Sequence, residues 1–214
     1  MRTPLIKICG LNDAAAVDTA VSAGADYLGF IFFPRSPRHV SLAQATQLTA
    51  RKGSAKTVAV MVDPTEPQLA AVLEQMKPDF IQLHGQESPE RCRDVRNYAG
   101  DGVWKALGVS TQEDLERSRI YANSVDGFVF DAKPPRDADR PGGLGEAWDY
   151  SLLKGFDAGA PWLLAGGLTV DTVADALSQS DAPGVDVVSG TEKAPGVKDL
   201  DLIKAFISAA RGEL

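Results

Sequence analysis

The stretch Leu5–Asn12, LIKICGLN, poses the problem on which the fold turns. A strand buried on both faces reads as a near-continuous run of Val, Ile or Leu. Leu5, Ile6 and Ile8 obey, but Lys7 and Cys9 do not, and the run breaks at once into Gly10. Side chains alternate across a strand, so Lys7 and Cys9 share one face and Ile6 and Ile8 the other. A polar pair at the carboxyl end of a strand calls for an interior that is not uniformly apolar.

Strand-like and helix-like patterns alternate onward from this point. LIKIC leads into DAAAVDTAVSAG, with Asn12 or Asp13 as N-cap and Gly24 as a stop signal. DYLGFIFF precedes SLAQATQLTA, where Ser41 can cap; KTVAVMV precedes TEPQLAAVLEQM, and DFIQLHG precedes SPERCRDVRNYA. GVWKALGV, DGFVFD, PWLLAGG and GVDVVSG follow, each with a helix-like partner, the one after DGFVFD being AWDYSLLKGF. Eight such units in 214 residues, without a shift in composition, predict a single α/β domain over 1–214, a parallel (β/α)8 TIM barrel. A doubly wound open sheet competes, but five or six strands are more usual there. The stretch AKPPRDADRPGGLGEA, residues 132–147, is long for a barrel loop and is expected to form a lid.

Hydrophobic content of 44% and charged content of 24% are ordinary for a soluble globular chain. Net charge is −7, with no Lys/Arg cluster to follow a phosphate backbone, so nucleic acid is not expected as a partner. No apolar run reaches membrane-spanning length, and Lys7 interrupts the only early one, so neither membrane nor signal peptide is expected. Two cysteines make no disulfide framework, consistent with a cytoplasmic protein. Two histidines, His39 and His84, make no convincing metal site.

In a barrel, one strand face meets the helices and the other fills the interior, which answers the opening problem. Lys7 and Cys9 point inward, with Cys9 nearer the mouth. The same parity sends Gln82 and His84 inward from DFIQLH and Asp131 inward from DGFVFD. Asp186 of VDVVSG turns inward beside the first strand, because closure makes strands one and eight neighbours. Barrel enzymes keep their chemistry at this end. Each residue also has a plain packing role: an inert thiol, a structural histidine, a capping Asp, and Lys7 with Asp186 as a buried ion pair. Two glycine turns, LAGGL at 164–168 and VSGTE at 188–192, follow the last two strands, where barrels often hold phosphate.

Taken together, KICGL, GADYLGFIFFPRSPRHV, IQLHG, the strand-end Asp131, GGLG with WD, LAGGL and VDVVSGTE with PGVKD resemble the phosphoribosylanthranilate isomerases of tryptophan biosynthesis. The resemblance implies a cofactor-free Amadori rearrangement of N-(5-phosphoribosyl)anthranilate to 1-(2-carboxyphenylamino)-1-deoxyribulose 5-phosphate. It implies Cys9 as general base and Asp131 as general acid. Arg38 is matched to the anthranilate carboxylate, and Gly166, Gly167, Ser189 and Gly190 to the phosphate. Lys7, His84 and Asp186 are expected to contact the substrate beside them. The protein would be a monomer or homodimer with a small phosphorylated substrate as its partner.

Ordinary acidities run the wrong way for these roles, a thiol near ~8.5 and an Asp near ~3.9. A nearby Lys7 would favour the Cys9 thiolate, and burial or that thiolate would hold the proton on Asp131. Two residues depart from the family pattern, Leu144 and Val188, each where a hydroxyl side chain is usual. The rivals are the related sugar isomerase of histidine biosynthesis, indole-glycerol-phosphate synthase, and a catalytically silent phosphate binder. The first relies on aspartates at strands one and five, where this chain has Cys9 and KALGV.

Overall fold

A computed structural model describes residues 3–134, 142, 143, 145 and 147–213. Eight parallel strands close into a barrel in chain order: β1 (Leu5–Cys9), β2 (Tyr27–Phe32), β3 (Lys56–Met61), β4 (Phe80–Leu83), β5 (Gly102–Val109), β6 (Gly127–Ala132), β7 (Trp162–Leu164) and β8 (Gly184–Val187). β1 pairs with both β2 and β8, and Lys7 lies directly opposite Asp186 in the closing register. A two-stranded antiparallel ribbon, β9 (Glu192–Ala194) and β10 (Val197–Lys198), follows β8.

Helices α1 (Ala14–Ser22), α2 (Leu42–Thr49), α3 (Glu66–Gln75), α4 (Pro89–Arg96) and α5 (Gln112–Glu116) follow the first five strands. After β7 comes α6 (Val173–Ser180), and α7 (Leu200–Arg211) closes the ring. Three of these starts show a local cause. Asp13 accepts from the Ala16 N–H, Ser41 from that of Gln44 and Ser88 from that of Arg91, satisfying donors the first helical turn leaves open. Of the two caps considered at α1, Asp13 is the one used.

The sixth unit departs from expectation. AWDYSLLKGF forms a single 3-10 turn, Tyr150–Leu153, in place of an α-helix. Side-chain anchors explain it: the Trp148 indole donates to the Ala165 carbonyl at 2.9 Å, and the Tyr150 hydroxyl donates to that of Gly166 at 2.6 Å. Both bonds pin the segment across the end of β7. Asp149 then closes a tight turn on Ser151, and Gly155, at φ 70°, ends it. Residues 135–141, 144 and 146 of the expected lid, Leu144 among them, lie outside the described residues.

Strand parity holds as expected. Ile6, Ile8, Phe128 and Phe130 pack among the helices, while Cys9, Val58, Val60 and Ala106 line the interior. Each large apolar side chain so buried contributes about 1.5–3 kcal/mol. At the amino end Tyr27, Phe80 and Trp104 plug the barrel, with ring centroids 4.8–6.0 Å apart. The interior therefore opens at the carboxyl ends of the strands.

Gly29 of β2 sits opposite Cys9 in the β1–β2 register. A Cβ there would lie 2.6 Å from the Cys9 sulfur and 3.0 Å from its Cα. The glycine makes room for the thiol, and the backbone contact leaves no easy retreat. Gly29→Ala should cost about 1–3 kcal/mol through overpacking, seen as a fall of several degrees in Tm. An unchanged Tm in calorimetry would show that Gly29 is not what the thiol requires.

Candidate active site at the barrel mouth

A pocket opens at the carboxyl end of the barrel. Of the residues expected there, Cys9, Arg38, His84, Asp131, Gly166, Gly167, Asp186 and Ser189 line it. Lys7 does not. It is wholly buried below the floor, its ammonium donating to Asp186 Oδ2 at 2.7 Å. Gly190 packs away from the pocket, so close that a Cβ would lie 1.9 Å from the Leu168 carbonyl oxygen.

Burial sets the acidities of the floor. Asp131 is pushed up to about 7, first by burial and then by the negative charge of Asp186. The hydrogen bond it accepts from the Ala132 N–H, at 2.8 Å, opposes that rise without cancelling it. The neighbouring charge that helps Asp131 keep its proton is thus a carboxylate.

Cys9 corrects one expectation. Lys7 does favour the thiolate, but burial outweighs it and Asp186 adds to burial, so the thiol is held above its ordinary value. His84 is pushed down to about 3 by burial and by the charges of Lys105 and Lys7. It is therefore neutral near pH 7, and its 3.7 Å approach to Asp131 is not an ion pair there. The Gln82 amide donates to His84 Nδ1 at 3.1 Å, which leaves the ring proton on Nε2, toward Asp131.

Above this floor stand the anion-binding candidates. Gly166 and Gly167 adopt successive left-handed conformations, φ 88° and 66°. Neither N–H donates to a backbone carbonyl among the described residues, so this turn presents donors of the kind that cradle an anion. Arg38 approaches from the β2 loop, its stem crossing the end of β1. Gly10, at φ 76°, permits that crossing: a Cβ there would meet Arg38 Cδ at 2.9 Å. The KICG and SPR motifs are thus one packing unit. The long loop reaches the same place, since a Cβ on Gly142 would lie 2.6 Å from Asp131 Oδ2 and 2.8 Å from His84 Nε2. Ile31, Phe33, Val60, Val62 and Val188 supply an apolar wall.

Val188 of this wall was singled out from sequence as a departure from the family pattern; Ser36, Gln82 and the rest of the wall were not named as site residues, although the parity that turned His84 inward also turned Gln82. Two buried acceptors, Gln82 Oε1 and Asp186 Oδ1, have no protein partner among the described residues.

The N-(5'phosphoribosyl)anthranilate (PRA) isomerase family profile matches residues 6–209. The chain is 49% identical, over 96% of its length and 95% of the relative's, to the N-(5'-phosphoribosyl)anthranilate isomerase of Rhodopseudomonas palustris strain BisA53. Among solved structures it is similar to phosphoribosyl anthranilate isomerase from Thermotoga maritima, with TM-score 0.88 and 34% identity over 98% of this chain and 99% of that one. A phosphoribosyl anthranilate isomerase solved in complex with reduced 1-(o-carboxyphenylamino)-1-deoxyribulose 5-phosphate has TM-score 0.85 and 31% identity over 98% of this chain and 99% of that one. With the barrel, the strand-end residues and both sets of relatives in agreement over nearly the whole length, the chain belongs to the N-(5'-phosphoribosyl)anthranilate isomerase family.

Proposed function

We propose that this protein isomerises N-(5-phosphoribosyl)anthranilate to 1-(2-carboxyphenylamino)-1-deoxyribulose 5-phosphate by general acid–base catalysis, with Asp131 as acid and Cys9 as base. The observation that carries this reading is that Asp131 and Cys9, both buried, line one pocket, where burial and Asp186 push the Asp131 carboxyl up to about 7. A carboxyl at that value is still partly protonated near neutrality and can donate. In the first step Asp131 gives its proton to the furanose ring oxygen, the C1′–O bond breaks, and the anilino nitrogen forms the iminium. In the second, the Cys9 thiolate removes the C2′ proton, and the electron pair flows through C1′ to nitrogen. The resulting enolamine tautomerises to the ketone.

A weakened thiol acidity makes the thiolate scarce but a stronger base, so the second step draws on base strength more than on population. Asp186 raises and Lys7 lowers the proton affinity of both groups, so one ion pair acts on acid and base alike. The relative solved with a carboxyphenylamino, phosphate-bearing ligand supports an arrangement with two anion subsites. Arg38 suits the aromatic carboxylate, the apolar wall suits the ring, and the Gly166–Gly167 turn with Ser189 suits the phosphate. His84 and Asp186 lie between them as polar contacts for the sugar, and Lys7 acts by holding Asp186.

Asp131→Asn should fold and lose about 100-fold or more in kcat; near-normal kcat would remove Asp131 from the chemistry. The same variant carries a stability signature. The folded carboxyl sits at about 7, whereas in the unfolded chain it sits near ~3.9. The unfolded state therefore releases its proton first, and this residue costs the wild type stability as pH rises between the two values. Asp131→Asn should thus gain Tm over wild type at about pH 8, with the gain shrinking toward about pH 4. A difference independent of pH would contradict a raised carboxyl.

Arg38→Ala should raise KM for the phosphoribosylanthranilate by about 10-fold or more while changing the inhibition constant of inorganic phosphate far less, since a lost charged hydrogen bond is felt by the anion it held. Equal weakening of both would place Arg38 at the phosphate.

A further inference from the structure

We propose that Glu192 is a positioning residue that fixes the guanidinium edge Arg38 turns toward the pocket, an inference that rests on the reading of Arg38 as the carboxylate-binding residue. Arg38 Nε donates to Glu192 Oε1 at 2.7 Å and Nη2 to Oε2 at 2.9 Å, with both side chains 3% exposed. This is a side-on, two-point pairing, which fixes the plane of the guanidinium as well as its position. Glu192 lies behind the pocket wall, whereas Arg38 lines it. The edge left toward the cavity carries Nη1, beside Gly143, where a Cβ would lie 2.8 Å from that nitrogen. A second anion can meet this end without breaking the first pairing, because the guanidinium has five N–H donors in a rigid fork.

Glu192 is itself held from elsewhere. Lys198 of β10 lies 3.6 Å from Glu192 Oε1, and the Gly196 N–H donates to Oε2 at 3.4 Å. The wholly buried Lys198 ammonium also donates to the Val188 carbonyl at 2.7 Å and to Thr191 Oγ1 at 2.9 Å. The ribbon β9–β10 is therefore a bracket with Glu192 on one strand and its fastening on the other. Burial pushes Lys198 down to about 8, which leaves it mostly protonated near pH 7. Two cations and one carboxylate then leave the cluster with a net charge of about +1, where Arg38 and Glu192 alone would cancel. The second cation lets Glu192 orient Arg38 without erasing its attraction for an anion.

The bracket grows from the turn that carries Ser189, so it also sets where the carboxylate site stands relative to the phosphate turn. Neither partner is near the other in sequence: Arg38 and Glu192 are 154 positions apart.

The test is a double-mutant cycle of Glu192→Gln and Arg38→Ala, with Glu192→Asp as a milder probe. It reads kcat and KM with N-(5-phosphoribosyl)anthranilate, the inhibition constant of inorganic phosphate, and Tm. Glu192→Gln should raise KM about 10-fold with kcat within about 3-fold and the phosphate constant unchanged. In the Arg38→Ala background the same change should do almost nothing, and Glu192→Asp should give an intermediate KM. Should Glu192→Gln fail to fold, Glu192→Asp in both backgrounds decides the question by the same comparison. An equal rise in KM with or without Arg38, or a parallel loss of phosphate binding, would overturn the positioning role. If Arg38→Ala raises KM and no Glu192 variant does, positioning fails while the reading of Arg38 stands. If Arg38→Ala leaves KM unchanged, the reading of Arg38 fails and the inference falls with it.

Discussion

The ion pair between Lys7 and Asp186 governs this barrel. Its two residues face each other across the seam where β8 closes onto β1, at 2.7 Å, with 0% and 4% side-chain exposure. A buried pair of this kind is weak evidence for net stability, but removing one partner alone commonly costs about 3–5 kcal/mol. Its larger effect is electrical. Asp186 puts a negative charge near the Asp131 carboxyl and the Cys9 thiol, raising both, while Lys7 opposes both. The closure that completes the fold thus also sets the proton affinities on the pocket floor.

Burial then works on every titratable group there in one direction, toward neutrality. It raises Asp131 and Cys9, which are neutral when protonated, and lowers His84, which is neutral when deprotonated. Charge is kept where a ligand could use it. The guanidinium of Arg38 is available at the wall, backed by Glu192 and Lys198, and the left-handed glycines after β7 offer backbone donors. On the floor the Asp186 charge is offset by Lys7, whereas the walls carry a guanidinium and backbone donors that attract anions.

Much of this was legible in the sequence, because strand parity is a strict period of two. Lys7 and Cys9 on one face, Ile6 and Ile8 on the other, sufficed to predict an interior with polar residues at its mouth. Asp131 and His84 followed by the same count, as did Asp186 beside Lys7. Parity says which way a side chain points and nothing of how dry its surroundings are. That is why the pull of Lys7 on Cys9 could be read from the sequence but not the burial that outweighs it. Lys7 was likewise placed among substrate contacts, although it lies one layer below them. Pairings such as Arg38 with Glu192 have no local signature, and the 3-10 turn after β6 was hidden because Trp148 and Tyr150 reach across to carbonyls on another strand end. One sequence signal was available and unused: a glycine inside an apolar strand, Gly29, marks the close approach that gives the Cys9 sulfur its space.

The central claim is that closure and burial hold the Asp131 carboxyl near neutrality, and its ionisation can be followed directly. Carbon-13 NMR of the aspartate carboxyl groups, with the Asp131 resonance assigned by its loss in Asp131→Asn, gives the titration midpoint in the ligand-free protein. The account predicts a midpoint of about 7, falling when Asp186→Asn removes the neighbouring negative charge. A midpoint near the ordinary ~4 of an aspartate would contradict it.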